Sequence, residues 1–164
     1  MSVLLSASNN GVLGIQPRTL ILKCRNAAGG AIAQYELVRL DLSQASLEAG
    51  QGSAAVGSAS NSIFANVVKG PTGKGTATTG IYGVAQEAIA DGASGSIMFV
   101  GTTPVKAASA TYAAGNNVGI PASGLTAGTV TNATVTQAVA MCLVGGTTVT
   151  QITVALDGNI SFGT

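Results

Sequence analysis

Tyr82-Gly83-Val84-Ala85-Gln86-Glu87-Ala88-Ile89-Ala90-Asp91-Gly92-Ala93-Ser94-Gly95-Ser96-Ile97-Met98-Phe99-Val100-Gly101 reads as a strand, a short connection and a second strand. Its apolar runs are short and glycines bound them, so there is no room for an amphipathic helix. Ala85 to Ala90 has helix-forming composition, but Gly83 before it and Asp91-Gly92 after it leave too few residues to nucleate one. The plan recurs at residues 137–158. A displacement of 55 positions sets Val84 on Val139, Ala85 on Ala140, Ile97 on Ile152 and Phe99 on Val154 without a gap. The match runs weakly upstream, with Ile63 on Val118 and Gly73 on Gly128, and outlines two related halves at about 54–101 and 109–156. A duplicated half-barrel and chance similarity between two Ala-, Gly- and Val-rich segments both account for it.

Working outward, Arg18 to Arg25 is a strand with an apolar centre, and Asn26 to Gly30 is a turn. Ala31 to Leu42 alternates imperfectly and is expected to form a hairpin with that strand. Residues 43–75 are rich in Gly, Ala and Ser, with an exposed tip at 48–53 and an apolar strand at 63–68. Residues 102–126 read as short strands with loops, and 129–144 has the Thr and Val content of a strand. Residues 1–17 lack a period and carry Asn9-Asn10-Gly11, Gly14 and Pro17, which reads as an extended N-terminal arm. No segment keeps a 3.6-residue apolar period. The chain is therefore all-β: one domain at 18–164, a small β-barrel or β-sandwich with long Gly/Ala/Ser-rich loops.

Composition narrows the function more by exclusion than by assignment. Charged residues are 8% of 164, against about 25% in ordinary globular proteins, so Ser, Thr, Asn, Gln, Gly and Ala must cover the surface. Such a surface tends to associate, and it suits a protein that is packed against others. Net charge is +1, and Arg18, Lys23 and Arg25 are the only basic cluster, too small a footprint for nucleic acid. No apolar run reaches the length of a membrane span. The N-terminus has neither the basic nor the apolar region of a signal peptide, so synthesis in and retention by a cytoplasm is expected. Cys24 and Cys142 sit among apolar strand residues and are expected to be buried free thiols.

Chemistry-bearing patterns are sparse. There is no histidine, the commonest general base and metal ligand. Gly70-Pro71-Thr72-Gly73-Lys74-Gly75-Thr76 looks like a phosphate-binding loop. However, Val68 stands where the first glycine belongs, and Gly75 replaces the hydroxyl residue that would reach magnesium. Glu87 and Asp91, if on a strand, would lie about 13 Å apart, too far for a glycosidase pair. Glu36 and Asp41 are no better placed, and Asp91 and Asp157 precede glycines as turn residues do. Tyr35, Tyr82 and Tyr112 are expected to be half-buried strand residues rather than a sugar platform. No catalytic, cofactor-binding or metal-ligating residue is assigned.

The segment from Gly83 to Gly101 resembles a pattern of tailed-phage head decoration (capsid cement) proteins: a Gly-Val-Ala strand, an Ala-rich acidic link, a glycine turn and a closing Ile97-Met98-Phe99-Val100-Gly101 strand. Tyr112-Ala113-Ala114-Gly115-Asn116-Asn117-Val118, Gly128-Thr129-Val130, Ala138-Val139-Ala140 and Ile152 to Leu156 are similar to it again, so the resemblance covers roughly residues 80–157. It implies a β-tulip-like domain, a homo-trimer, that binds the major capsid protein on the exterior of the mature phage head and braces it against DNA pressure. It further implies a non-enzymatic virion protein assembled in the host cytoplasm, without cofactor, direct nucleic-acid contact or membrane. The arm would order on the shell, with Asn9, Asn10, Gln16 and Arg18 as capsid-contact candidates. Residues 43–75 are longer than that pattern needs. A phage head-fibre, tail or baseplate component is the alternative, followed by a carbohydrate-binding β-sandwich.

Overall fold

The computed structural model describes residues 19–40, 65–69, 80–120, 126, 128–133, 138–157 and 160–161. These hold ten strands and no helix: β1 (Leu20–Asn26), β2 (Leu37–Leu40), β3 (Ala65–Lys69), β4 (Gly80–Ala85), β5 (Ser94–Tyr112), β6 (Asn117–Gly119), β7 (Thr131–Asn132), β8 (Ala138–Val144), β9 (Gly146–Asp157) and β10 (Ile160–Ser161). They join one sheet in the order β10-β4-β2-β3-β1-β5-β9-β8-β6-β7. The strand pairings are antiparallel except β1 with β3. The all-β class is as the sequence reads, but the sheet as a whole is not closed into a barrel. It runs from β10 at one side to β7 at the other. Within it β4 also pairs with β5, so the pairings of β1, β3, β2, β4 and β5 return on themselves.

Two expectations are corrected. The hairpin of Ala31–Leu42 with the first strand does not form, because β2 pairs with β3 and β4 and not with β1. The intervening residues are engaged elsewhere: Ile32 exchanges both backbone hydrogen bonds with Ile89, at 2.9 and 2.8 Å. Of the short strands with loops expected over 102–126, β6 is found, but residues 102–112 are instead the second half of β5, a single strand of 19 residues. Pro104 does not interrupt it. Alternate residues face the same edge, and Lys106 N–H points away from β9, so the missing Pro104 N–H is lost from the edge that β9 does not use.

The sheet separates two hydrophobic clusters. One comprises Cys24, Ile32, Val38, Leu40, Ala85, Ile89, Ile97 and Phe99, inside the returning set of strands. The other lies on the opposite face and joins Leu37, Tyr82, Val84 and Met98 to Val105, Ala107, Tyr112, Val118, Val130, Val139, Cys142, Ile152, Val154 and Leu156. Neighbours in sequence therefore serve different cores: Leu37 and Val38, Val84 and Ala85, Ile97 and Met98. Burial on both faces explains why these strands read as continuous apolar runs rather than alternations. Each such Val, Leu, Ile or Met side chain contributes roughly 1.5–3 kcal/mol.

Met98 and Val105 reach the same core although an odd number of steps separates them, so β5 changes parity between them. The register with β1 breaks at this point, where Leu20 faces Val100 but Ile21 faces Met98, and Gly101 adopts a φ of +127°. An extra residue and a glycine conformation together bend the strand from one core toward the other. Gly83 answers to packing instead: a Cβ there would lie 2.6 Å from Ile97 Cγ2 and 2.8 Å from the Met98 carbonyl oxygen.

The two hairpins related by the 55-residue displacement are built differently. In the first, Val84 faces Met98 and Ala85 faces Ile97, and residues 86–93 connect the strands. In the second, Cys142 faces Val154, Met141 faces Ala155, and Gly145 alone separates the strands.

Candidate functional site

Polar side chains within the first cluster serve the fold. Asn26 is 1% exposed and lies between two turns. Its Nδ2 donates to the carbonyls of Gly30, Ile89 and Ala90 at 2.8, 3.0 and 3.2 Å, and its Oδ1 accepts from Ala28 N–H at 2.9 Å. Its backbone bonds Ala93 and Gly92 as well, so one residue ties turn 26–30 to turn 89–93. Arg25 Nε donates to the Gly92 carbonyl at 3.2 Å, and Gly92 has the left-handed φ of +71° that a turn glycine supplies.

The carboxylates are dispersed. Glu87 lies in the exposed connection, not on a strand, and accepts from Ser96 N–H at 2.8 Å. That bond, with Lys23 adding a smaller share, holds its carboxyl below the usual range. Asp91 occupies the expected turn. Glu36 accepts from Ala33 N–H at 3.1 Å and pairs with Lys106 Nζ at 3.5 Å, beneath Gly128. Among the described residues no three of His, Cys, Asp and Glu gather as a metal site.

The cysteines are buried free thiols, one in each cluster. Burial pushes Cys24 up to about 11 and raises Cys142 too, so neither is a ready nucleophile. Tyr82 and Tyr112 are buried rather than half-buried. Burial raises both phenols, with the Arg39 guanidinium pulling Tyr82 back. The Tyr112 hydroxyl donates to the Ala108 carbonyl at 2.8 Å, with the Val130 carbonyl at 3.3 Å. Tyr35 packs against the same cluster from a turn, with a φ of +65°. The three tyrosines form no exposed platform.

The surface distinguishes the two ends. From Ala107 to Leu156 the sequence has no charged residue. This run supplies β6, β7, β8, most of β9 and the end of β5. The registers place two rows on the face opposite the larger cluster. Thr102 lies beside Ala155, Met141 and Asn117, and Pro104 lies beside Thr153 and Val144. Met141 is 45% exposed and Val144 63%. The β8–β9 hairpin ends the face. Gly145 there has no room for a Cβ against the Tyr112 carbonyl, and Thr148 holds a φ of +55°, which a β-branched residue adopts only under strain. The arrangement presents hydroxyl, methyl and thioether groups with no ion among them. It can bury surface against a partner without desolvating a charge.

Leu20, Ile21 and Leu22 are also 41–48% exposed. The described pairing of β1 with β3 begins only at Cys24. Asn9, Asn10, Gln16 and Arg18, and the Gly70–Thr76 loop, lie outside the described residues. The outer face was not singled out from the sequence. The uncharged run was a readable signal for it. The rows themselves depend on parity breaks at Gly101 and between Cys142 and Val144.

No family model and no curated protein matches the chain. Among solved structures, the chain is similar to the N base of the head fibre gp8.5 of bacteriophage phi29. The identity is 10% and the TM-score 0.53, over 87% of this chain and 98% of that one. At that identity, what the two share is the fold.

Proposed function

We propose that this protein is a non-enzymatic structural component of a phage head, bound to the major capsid protein on the exterior of the mature shell and stabilising it as a decoration protein. The observation that carries the reading is the fold likeness to a phage head-fibre base over nearly the whole of both chains. The two uncharged rows on the outer face support it, because a contact made of Thr, Ala, Met and Val desolvates no ion. Shell symmetry multiplies a weak contact of that kind into stable attachment.

A second reading is favoured by the same likeness: the chain is the base on which a head fibre stands. The two part in what the shell loses without it. Heads from a phage lacking this chain should release DNA at a lower temperature, and purified protein added back should restore the wild-type value. Heads of unchanged stability that lack only projecting fibres would select the fibre-base reading. Purified protein that does not bind such heads at all would contradict both.

A further inference from the structure

We propose that residues 128–133 form a strap that closes the second set of strands on β5, and that this strap opens as a unit while the rest of the sheet stays folded. The pairings run from β5 through β9, β8 and β6 to β7, and they return to β5 at one isolated bridge, Val130 with Ala107. There Val130 N–H donates to the Lys106 carbonyl at 3.0 Å, and its carbonyl accepts from Ala108 N–H at 2.8 Å. Further along, Asn132 Nδ2 donates to the Thr111 carbonyl at 3.1 Å. The strap therefore covers the edge of β5 that β9 does not use. Its near end is tied to the first set, where the Gly128 carbonyl accepts from Leu37 N–H at 2.8 Å.

Little ladder holds this segment. β6 and β7, on its other side, have three and two residues, against four to seven in β1, β2, β3 and β4. Its buried side-chain anchor is Val130, whereas Asn132 is exposed. A segment with few ladder bonds opens locally at a smaller free energy than the strands around it. Gly128 sets the seat. It has a φ of +84°, and a Cβ there would lie 3.0 Å from both Cβ and Cγ of Glu36, whose carboxylate is held by Ala33 N–H and Lys106. Opening frees Ala108 N–H and the Lys106 and Thr111 carbonyls. Closed, the strap guards a sheet edge against strand addition; open, it offers that edge to an extended strand.

The inference concerns the isolated chain and does not depend on the head assignment. Native-state amide exchange of the full-length protein, in urea below the unfolding transition, tests it. Ala108 and Val130 report on the strap. Ile32 and Ile89 report on the first set, and Val105, whose N–H alternates with that of Lys106 and so faces β9, reports on the β5–β9 ladder. Ala108 and Val130 should exchange at least about tenfold faster than the other three. Their rates should stay flat as urea rises, because local opening exposes little surface, while those of Ile32, Ile89 and Val105 climb. Gly128→Ala, which loses the left-handed seat, should speed Ala108 and Val130 at least about tenfold more, still without urea dependence. Should that variant not fold, the wild-type urea dependence decides. Strap amides that climb with urea as steeply as Ile32 and Ile89 overturn the proposal. So do equal rates at all five positions, or a folded Gly128→Ala protein in which Ala108 exchanges as slowly as in wild type.

Discussion

The two sides of this sheet solve different problems with the same small alphabet of side chains. Around the first cluster, the connections are tied by specific polar contacts: Asn26 to four backbone groups, Arg25 to Gly92, Glu87 to Ser96. The second cluster is larger, and the strands it shares with the uncharged run carry hydroxyls, methyls and glycines on their outer side. One end is thereby fixed in shape and carries charged side chains. The other end is left neutral, and a neutral sheet face is suited to contact. The difference teaches that a chain with few ionic groups can still assign them to one region and keep another free of them.

The strongest way to break the comparison is to hollow each cluster in turn. Ile97→Ala and Ile152→Ala remove equivalent volume from the first and second, at positions 0% and 3% exposed. Each should cost about 2–5 kcal/mol in urea denaturation. A single transition in both variants would show one cooperative unit, and two transitions would show that the clusters unfold separately. Asn26→Ala comes next. It strands three carbonyls and one N–H and should cost about 3 kcal/mol, with amide exchange accelerating at Ile32 and Ile89 before it does in β8 and β9.

Alkaline pH probes the same asymmetry. Burial raises the folded Cys24 thiol from 9.0 to about 11, so its contribution is present in full below pH 9 and is lost as pH rises through 11. Two units correspond to at most about 2.7 kcal/mol. The buried Cys142, Tyr82 and Tyr112 act with the same sign. Denaturation midpoints followed from pH 8 to about pH 11 should fall, and less steeply in Cys24→Ala. An equal slope in that variant would place the loss in the second cluster.

Smaller effects sharpen the picture. Thr148→Gly relieves the left-handed conformation at the β8–β9 tip and should raise stability by about 1 kcal/mol, read as a higher thermal midpoint. Glu36→Gln keeps an acceptor for Ala33 and takes the charge from its partly exposed pair with Lys106. It should cost under about 1 kcal/mol, and raised salt should shrink the difference from wild type.

Strands were legible where apolar residues cluster between glycines. Leu20–Asn26, Gly80–Ala85 and the run through Ile97 lie close to where the sequence puts them. Partners were less legible. Sequence adjacency favours a β1–β2 hairpin, but the bridge between Ile32 and Ile89 and the contacts of Asn26 send β2 to β3 and β4. The length of β5 was not legible either, since the strand continues past both Gly101 and Pro104, and the cost of a strand proline depends on which edge is paired. The outer face was hidden for a related reason. Which side of a strand faces outward inverts at each parity break, and such breaks follow from packing rather than from composition.

The assignment to a phage head is most directly tested by cryo-electron microscopy of heads from matched phages with and without this chain. A difference map should show the protein as density on the outer surface of the shell at symmetry-related positions. Density confined to the tail, or no difference anywhere on the particle, would contradict the account.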